Sequence, residues 1–424
     1  MENNLKTVEN TLNTGRVDKL RWVTIVLQMF VGSATAFVYC ISVFIGPLAT
    51  KYGWDPSQIV LAYTFMMIVG MPGSVVGGAL KAKWGNKMVL KAGGLAFGAF
   101  VILSTLVANV LWFVIMFGCM ASFCMYVVYV AQLANVGELF PDFRGLSMGL
   151  VIGGITVGSA MISPLSEWLV RHMDVMHCIA LQGAVYGALV MVCGFLIVEA
   201  PANYRPRGWA PPEVEVLGED AAQGEEFVHW KKALMMKGFW ILFLGNIAGA
   251  IFMTGYQGNA ILFTQDAVGC SASQAAWTYS LFLIVMGIAG LVLGFVSDKY
   301  LGPVKTQAFF YLGTGAALIL FFVCGSNDFW AFLLMLLVFA FSAGASQALL
   351  PTLVMDAFGG KYFGILFGFF LAGVSIGSVI GPQFTTRYSA DQFLTWGIGF
   401  TIVCGVLFLL AIPVLNKELG KKKF

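Results

Sequence analysis

Polar residues interrupt this chain at intervals that leave twelve long apolar runs, near 22–47, 57–80, 88–107, 109–136, 145–170, 175–198, 238–264, 271–296, 304–324, 327–350, 362–384 and 392–414. A bilayer core of about 30 Å is crossed by roughly 20 apolar residues in a helix, and each run is close to that length. The pattern predicts an all-α membrane protein with 12 transmembrane helices. The gaps between runs carry a second pattern. With the N-terminus on the cytoplasmic side, 21 of the 24 Lys and Arg residues fall in segments on that side, and only Lys51, Arg171 and Arg387 fall opposite. The positive-inside rule then puts both termini in the cytoplasm.

The longest polar gap, 199–237, contains Pro201, Pro206, Pro211 and Pro212 and then an acidic stretch from Glu213 to Glu226. Such a segment packs no core and reads as a cytoplasmic linker. The expected organisation is an N-terminal cytoplasmic tail over 1–21, a six-helix half over 22–198, the linker over 199–237, a second six-helix half over 238–414 and a basic cytoplasmic tail over 415–424. The first 21 residues are polar and lack a small-residue cleavage site, so the first run reads as a retained anchor.

Composition narrows the class without naming a cargo. The chain is 59% hydrophobic and 11% charged, against about 25% charged in a soluble domain. Its net charge of +3 belongs to loops at a membrane face and is no nucleic-acid footprint. Eight cysteines sit mostly in apolar runs without CxxC spacing, with Cys270 alone near the outer surface, so neither disulfide nor metal is expected. No cofactor motif, HExxH, GxSxG elbow or P-loop occurs, and His172, His177 and His229 lie at loops or helix ends. A membrane enzyme is disfavoured, and no catalytic residue is assigned.

The halves echo each other. Gly77, Gly78, Lys81, Lys83, Gly85 and Lys87 follow the second run as Gly294, Asp298, Lys299, Gly302 and Lys305 follow the eighth. Gly149, Gly154 and Gly158 recur as Gly368, Gly373 and Gly377 at an offset of 219 residues, each series followed by a proline, Pro164 or Pro382. Many transporters are built from such repeats, with the substrate site between them. The plainer role of any single glycine is close helix packing.

These loops resemble the major facilitator superfamily, and in detail its oxalate/formate antiporter branch, close to bacterial monocarboxylate transporters. The resemblance rests on Tyr52 to Asp55, Phe140 to Leu146, Asn203 to Trp209, Gly294 to Lys299 and Asp356 to Gly359, and covers essentially the whole chain. It implies the two-half fold with alternating access and a lock at the cytoplasmic side, in which Asp298 and Lys299 match the motif. Lys83 matches in the first copy, where Ala82 replaces the family's acid, and Arg144 joins this gating group. In oxalate-transporting relatives, basic residues on helices 8 and 11 receive the carboxylates; Gly290 and Val374 stand there in this chain, and Ala343, Gln347 and Leu371 replace aromatic partners. A buried anion without a paired cation costs several kcal/mol, which disfavours a dicarboxylate such as oxalate. Tyr39 and Tyr129 match family positions that touch substrate.

The residues themselves add to this. No Asp, Glu, Lys, Arg or His lies near the middle of any run. Tyr126 lies one turn before Tyr129, and a phenol both donates a hydrogen bond and packs an apolar tail. The seventh run carries Thr254, Tyr256, Gln257 and Asn259 among glycines, the tenth carries Ser342, Ser346 and Gln347, and the eleventh Ser375 and Ser378. Interhelical hydrogen bonding is the plainer role for all of them; Gln257 and Gln347 are the preferred binding candidates, because a buried amide needs partners. The expected function is a secondary active or facilitative carrier of a small organic anion, a monocarboxylate first, with the bilayer as solvent and protons or an exchanged anion as coupling partners. The alternatives are the same carrier for a neutral, zwitterionic or cationic solute and, last, a non-transporting membrane sensor.

Overall fold

The computed structural model describes residues 2–201, 204–207, 215–216, 228–324, 328–419 and 421–422. Asn203, Gly208 and Trp209 of the stretch after the sixth run, most of the acidic segment and Lys423 lie outside the described residues. The chain divides into two compact units, Met1–Pro211 with Phe363–Gly368, and Pro212–Tyr362 with Phe369–Phe424. Among the described residues, eleven helices are long and apolar enough to cross a membrane.

In the first unit, α1 (Glu2–Thr35) runs unbroken from the polar start of the chain into the first apolar run. No proline precedes Pro47, so nothing stops the helix at the expected tail boundary. A 3-10 stretch, Ala36–Ile41, leads into α2 (Ser42–Tyr52), which ends at Gly53 in the left-handed region. The second run begins with α3 (Pro56–Ile68), where Asp55 caps the N-terminus by accepting from Ser57 N–H at 2.8 Å. The helix breaks at Val69 because Pro72 has no N–H for the Ile68 carbonyl and its ring crowds that oxygen. Then α4 (Gly70–Ser104) carries the rest of the second run and all of the third, with a corner at Gly85 (φ 77°, ψ 168°) that a Cβ would oppose. The fourth run holds α5 (Val110–Phe113), a π-helical stretch Val114–Ala121 and α6 (Ser122–Leu139); α7 (Arg144–His172) and α8 (Val175–Leu196) follow.

The second unit opens with α9 (Trp230–Met235) and α10 (Lys237–Gly258), which breaks at Asn259 before α11 (Ala260–Val268). Next come α12 (Ala272–Val296), a π turn Ser297–Leu301, α13 (Pro303–Cys324), α14 (Phe329–Phe358), α15 (Phe363–Arg387), which belongs to this unit from Phe369 onward, and α16 (Ala390–Leu419). A two-residue pair joins β1 (Glu215–Val216) to β2 (Lys421–Lys422), antiparallel, tying linker to tail. An aromatic core of Phe252, Tyr256, Phe282, Phe339 and Phe393 fills the unit.

The internal repeat is visible in the backbone. Gly302 makes the same corner as Gly85 (φ 74°, ψ 164°), and Gly269 ends α11 as Gly53 ends α2. The glycine series serve close crossings inside each unit. A methyl on Gly154 of α7 would lie 2.8 Å from Met29 Cα of α1, and one on Gly377 of α15 would lie 2.6 Å from Ala250 Cβ of α10. A hydroxyl seals each crossing: Ser33 donates to the Gly154 carbonyl and Thr254 to the Gly377 carbonyl, both at 2.8 Å.

Carboxylates fasten the helix ends. Glu199 accepts from Lys87 N–H at 2.8 Å, where α4 restarts after Gly85. Glu418, displaced by the same 219 residues, instead accepts from Lys237 and Gly238 N–H at 2.8 and 3.0 Å, at the start of α10. The first residues after α8 are tied down as well: Val198 N–H donates to Thr24 Oγ1 at 3.1 Å and Tyr204 donates to Asp18.

Candidate functional site

In the first unit three of the expected residues come together. Tyr39 sits on the 3-10 stretch of the first run, where the backbone leaves α geometry, and Tyr126 and Tyr129 sit on α6. Tyr126 is buried and the other two are half-buried. The rings of Tyr126 and Tyr129 meet edge to face at 6.4 Å between centroids. The phenol groups of Tyr39 and Tyr126 interact, and Tyr39 also bears on Tyr129.

The α3–α4 break makes room for this cluster. Gly70 opens α4, and a methyl there would lie 3.1 Å from Tyr126 Cζ; one on Gly73 would lie 2.8 Å from Tyr126 Cβ. Pro72 thus bends the chain at the place where two glycines let the tyrosine ring lie against the backbone. The titratable groups bearing on these phenols are other phenols of the cluster, including Tyr63 of α3, which the sequence reading passed over. It also passed over Gln28 and Gln132. The Gln132 amide donates to the Gln28 backbone carbonyl, and both side chains are fully buried. A glutamine inside an apolar run was the available signal.

The second unit holds the two amides on different helices, α10 and α14. Gln257 lies in the last turn of α10, half-buried, and its amide reaches Met286 Sδ at 3.6 Å. Gln347 is half-buried on α14 and no hydrogen bond joins it to Gln257 among the described residues. Pro351, four residues later, cannot donate to the Gln347 carbonyl, so that residue presents both a side-chain amide and a backbone acceptor. The other polar candidates are occupied within the fold. Ser342 donates to the Phe310 carbonyl and shares a 2.5 Å contact with Thr314, Ser346 lies beside the Tyr311 hydroxyl, and Ser375 and Ser378 donate back to their own helix at 3.0 Å. Thr254 seals the α10–α15 crossing and Asn259 donates to Thr385 at 2.8 Å. Tyr256 is 2% exposed in the aromatic core; its hydroxyl lies near Thr264 without closing a hydrogen bond.

The family's cationic positions are apolar and packed. Gly290 of α12 faces Gly344 and Ala348 of α14, whose nearest atoms would lie 3.5 and 3.6 Å from an added methyl. Val374 is half-buried on α15.

Among the residues expected to gate, Asp298 is half-buried in the π turn and Lys299 is exposed over the rings of Phe295 and Tyr300, at 5.8 and 5.3 Å. Lys83 is exposed over Trp84 at 5.9 Å, and Arg144 Nε donates to the Gly137 carbonyl at 3.3 Å. The first half also makes ion pairs that the motif did not single out. Lys81 pairs with Glu138, and Arg21 grips Asp142 with two 2.9 Å bonds while stacking 4.9 Å over Phe140. Both acids were visible in sequence, at run ends, but nothing there assigned their partners.

The sequence profile of the Major Facilitator Superfamily matches residues 25–382 and 246–423. The chain is 24% identical to the oxalate:formate antiporter of Oxalobacter formigenes over 412 residues, 95% of this chain and 94% of that one. It is 23% identical to monocarboxylate transporter 13 of Rattus norvegicus, covering 92% and 87% of the two chains. Its fold is similar to that of the proton:xylose symporter XylE bound to 6-bromo-6-deoxy-D-glucose, with a TM-score of 0.65, 12% identity and coverage of 96% and 97%. With a profile match over most of its length, transporter relatives and apolar helices to match, the chain belongs to the Major Facilitator Superfamily and is a multi-pass membrane transporter of the cell membrane.

Proposed function

We propose that this transporter carries a small organic anion, a monocarboxylate first, by alternating access of its two six-helix halves. The observation that carries the reading is the phenol cluster of Tyr39, Tyr126 and Tyr129, which offers hydroxyl donors and aromatic faces. A hydrogen bond to a charged group contributes about 1.5–3 kcal/mol. Three such bonds are comparable to the several kcal/mol that one buried carboxylate costs. That cost grows with the square of the charge, so neutral donors do not reach what a dicarboxylate requires. Gln257 and Gln347 supply the amide donors of the second half. The name of one relative, a monocarboxylate transporter, supports the monocarboxylate, and that of the other, an oxalate:formate antiporter, supports a small organic anion more broadly.

Asp298, Lys299, Lys83 and Arg144 gate the end placed in the cytoplasm by the Lys and Arg bias. Charge contacts at helix ends there break and re-form as the halves rock. The carrier is secondary active, coupled to protons or an exchanged anion, or facilitative.

A second reading keeps the carrier and changes its cargo to a neutral, zwitterionic or cationic solute. It is favoured by the composition of the cluster: among the described residues the titratable groups bearing on these phenols are other phenols, and aromatic faces attract cations by about 0.5–2 kcal/mol. Thermal stabilisation of the purified protein across carboxylates, amino acids, betaines and polyols separates the two. A ligand at 100 times its dissociation constant adds about 2.7 kcal/mol. Stabilisation by a monocarboxylate that is lost in Tyr129→Phe is the expected result. Stabilisation by betaines or polyols alone would overturn the anion reading.

A further inference from the structure

Lys87 and Lys91 stand one turn apart on α4, and Gly94 and Gly98 continue the same stripe at helical spacing. The stripe faces α8: a methyl on Gly94 would lie 2.7 Å from Met191 N, and one on Gly98 2.9 Å from the Gly183 carbonyl oxygen. Glycines therefore close the deeper part of the α4–α8 seam, and the two lysines stand at its other end. The Lys91 stem passes Gly194, where a methyl would lie 3.1 Å from its Cγ, and its Nζ comes to 3.9 Å from the ring centroid of Phe195. Phe195 and Leu196 of α8 are 61% and 60% exposed, and Met88 of α4 is 52% exposed. The ammonium thus emerges among apolar side chains on the outer surface of the unit.

The site carries charge without a counter-ion. Lys91 lies about 9 Å along the helix from the Gly85 corner, inside the apolar run that begins at 88. Among the described residues no carboxylate pairs with Lys87 or Lys91; Glu199 accepts from the Lys87 backbone N–H instead. The second unit packs the same seam without lysine. Counted from the corner glycines Gly85 and Gly302, the two positions correspond to Val304 and Ala308, which are 1% and 0% exposed. A methyl on Gly405 of α16 would lie 3.1 Å from the Ala308 carbonyl oxygen, so that seam too is closed by small residues. The fold needs no cation here, and a cation near the hydrocarbon boundary is costly unless it is countered.

We propose that the lysine end of the α4–α8 seam binds an anionic phospholipid, with Lys87 and Lys91 on its phosphate and Phe195, Leu196 and Met88 along its acyl chains. Basic pockets between transmembrane helices recognise anionic head groups in this way. The lipid covers both the charge and the exposed apolar side chains, whereas a soluble anion covers only the charge. A zwitterionic lipid brings its own ammonium and neutralises less.

The test titrates phosphatidylglycerol, or phosphatidylcholine with the same acyl chains, into the purified full chain in detergent and reads bound lipid by native mass spectrometry. Phosphatidylglycerol is expected to bind the parent more tightly than phosphatidylcholine. Lys87→Gln with Lys91→Gln is expected to weaken it about 25-fold, about fivefold per lysine. Lys87→Val with Lys91→Ala, the residues that the second unit tolerates, should lose the same affinity, and Lys87→Arg with Lys91→Arg should keep it. Lys231→Gln with Lys232→Gln removes as much charge elsewhere and should bind as the parent does. Equal binding of the two lipids by the parent, or equal losses in the two glutamine pairs, would overturn the site. Glycerol 1-phosphate competing as well as the whole lipid, with the same dependence on Lys87 and Lys91, would overturn the lipid as the occupant.

Discussion

Single side chains account for most of what holds helix ends in place, and some of that is titratable. Asp174, between α7 and α8, pairs with Lys51 of α2 and lies 3.4 Å from His177. Burial opposes its ionisation, but the Lys51 hydrogen bond and charge outweigh it and hold the carboxyl below its usual range. A depressed carboxylate contributes stability that is complete above the ordinary value of about 3.9 and is lost as pH falls through its lower folded value. Melting temperature followed into acid should therefore drop in that window for the parent, and Asp174→Asn should lack that component. The sequence showed Lys51 as an exception to the charge bias, without its partner. Tyr39 and Tyr129 were legible through resemblance and Tyr126 through helical spacing, whereas Tyr63 was not. Its immediate neighbours are Ala62 and Thr64, and no motif or polar spacing in the run marks it.

Elements were readable in outline and not in their interruptions. Run lengths gave the membrane crossings, because hydropathy reports burial in lipid. The breaks at Val69 and Asn259 follow from Pro72 and from glycine-rich sequence beside a polar cluster, which restrict the backbone without changing hydropathy. The glycine series were visible as a repeat, and contacts identify Gly154 and Gly158 as the crossing of α1 with α7 and Gly373 and Gly377 as that of α10 with α15, whereas Gly368 lies against Met71 and Val75 of α4. Gly154→Ala puts a methyl 2.8 Å from Met29 Cα. Overpacking of this kind costs about 1–3 kcal/mol. A lowered melting temperature is the expected outcome, read in detergent on the purified variant, whereas alanine at Gly313, with nothing within 4 Å, should be tolerated.

For the whole molecule, the charge bias makes the sharpest statement. With 21 of 24 basic residues on one side of the zigzag, a fluorescent protein fused to the C-terminus should light up and a periplasm-dependent phosphatase in the same place should stay inactive. The reverse result would invert the assignment. Two-fold construction was legible from the glycine offset, but how each copy is fastened was not, since Glu199 and Glu418 share a repeat position and hold different helices. Those fastenings, with Val198 on Thr24 and Tyr204 on Asp18, have one more consequence. The chain leaving the first half is moored within the first unit, and the chain entering the second half is moored within the second. A gene cut in the intervening stretch is therefore expected to leave both of these helix ends held, and co-expression of the two fragments, read by recovery of transport, tests it.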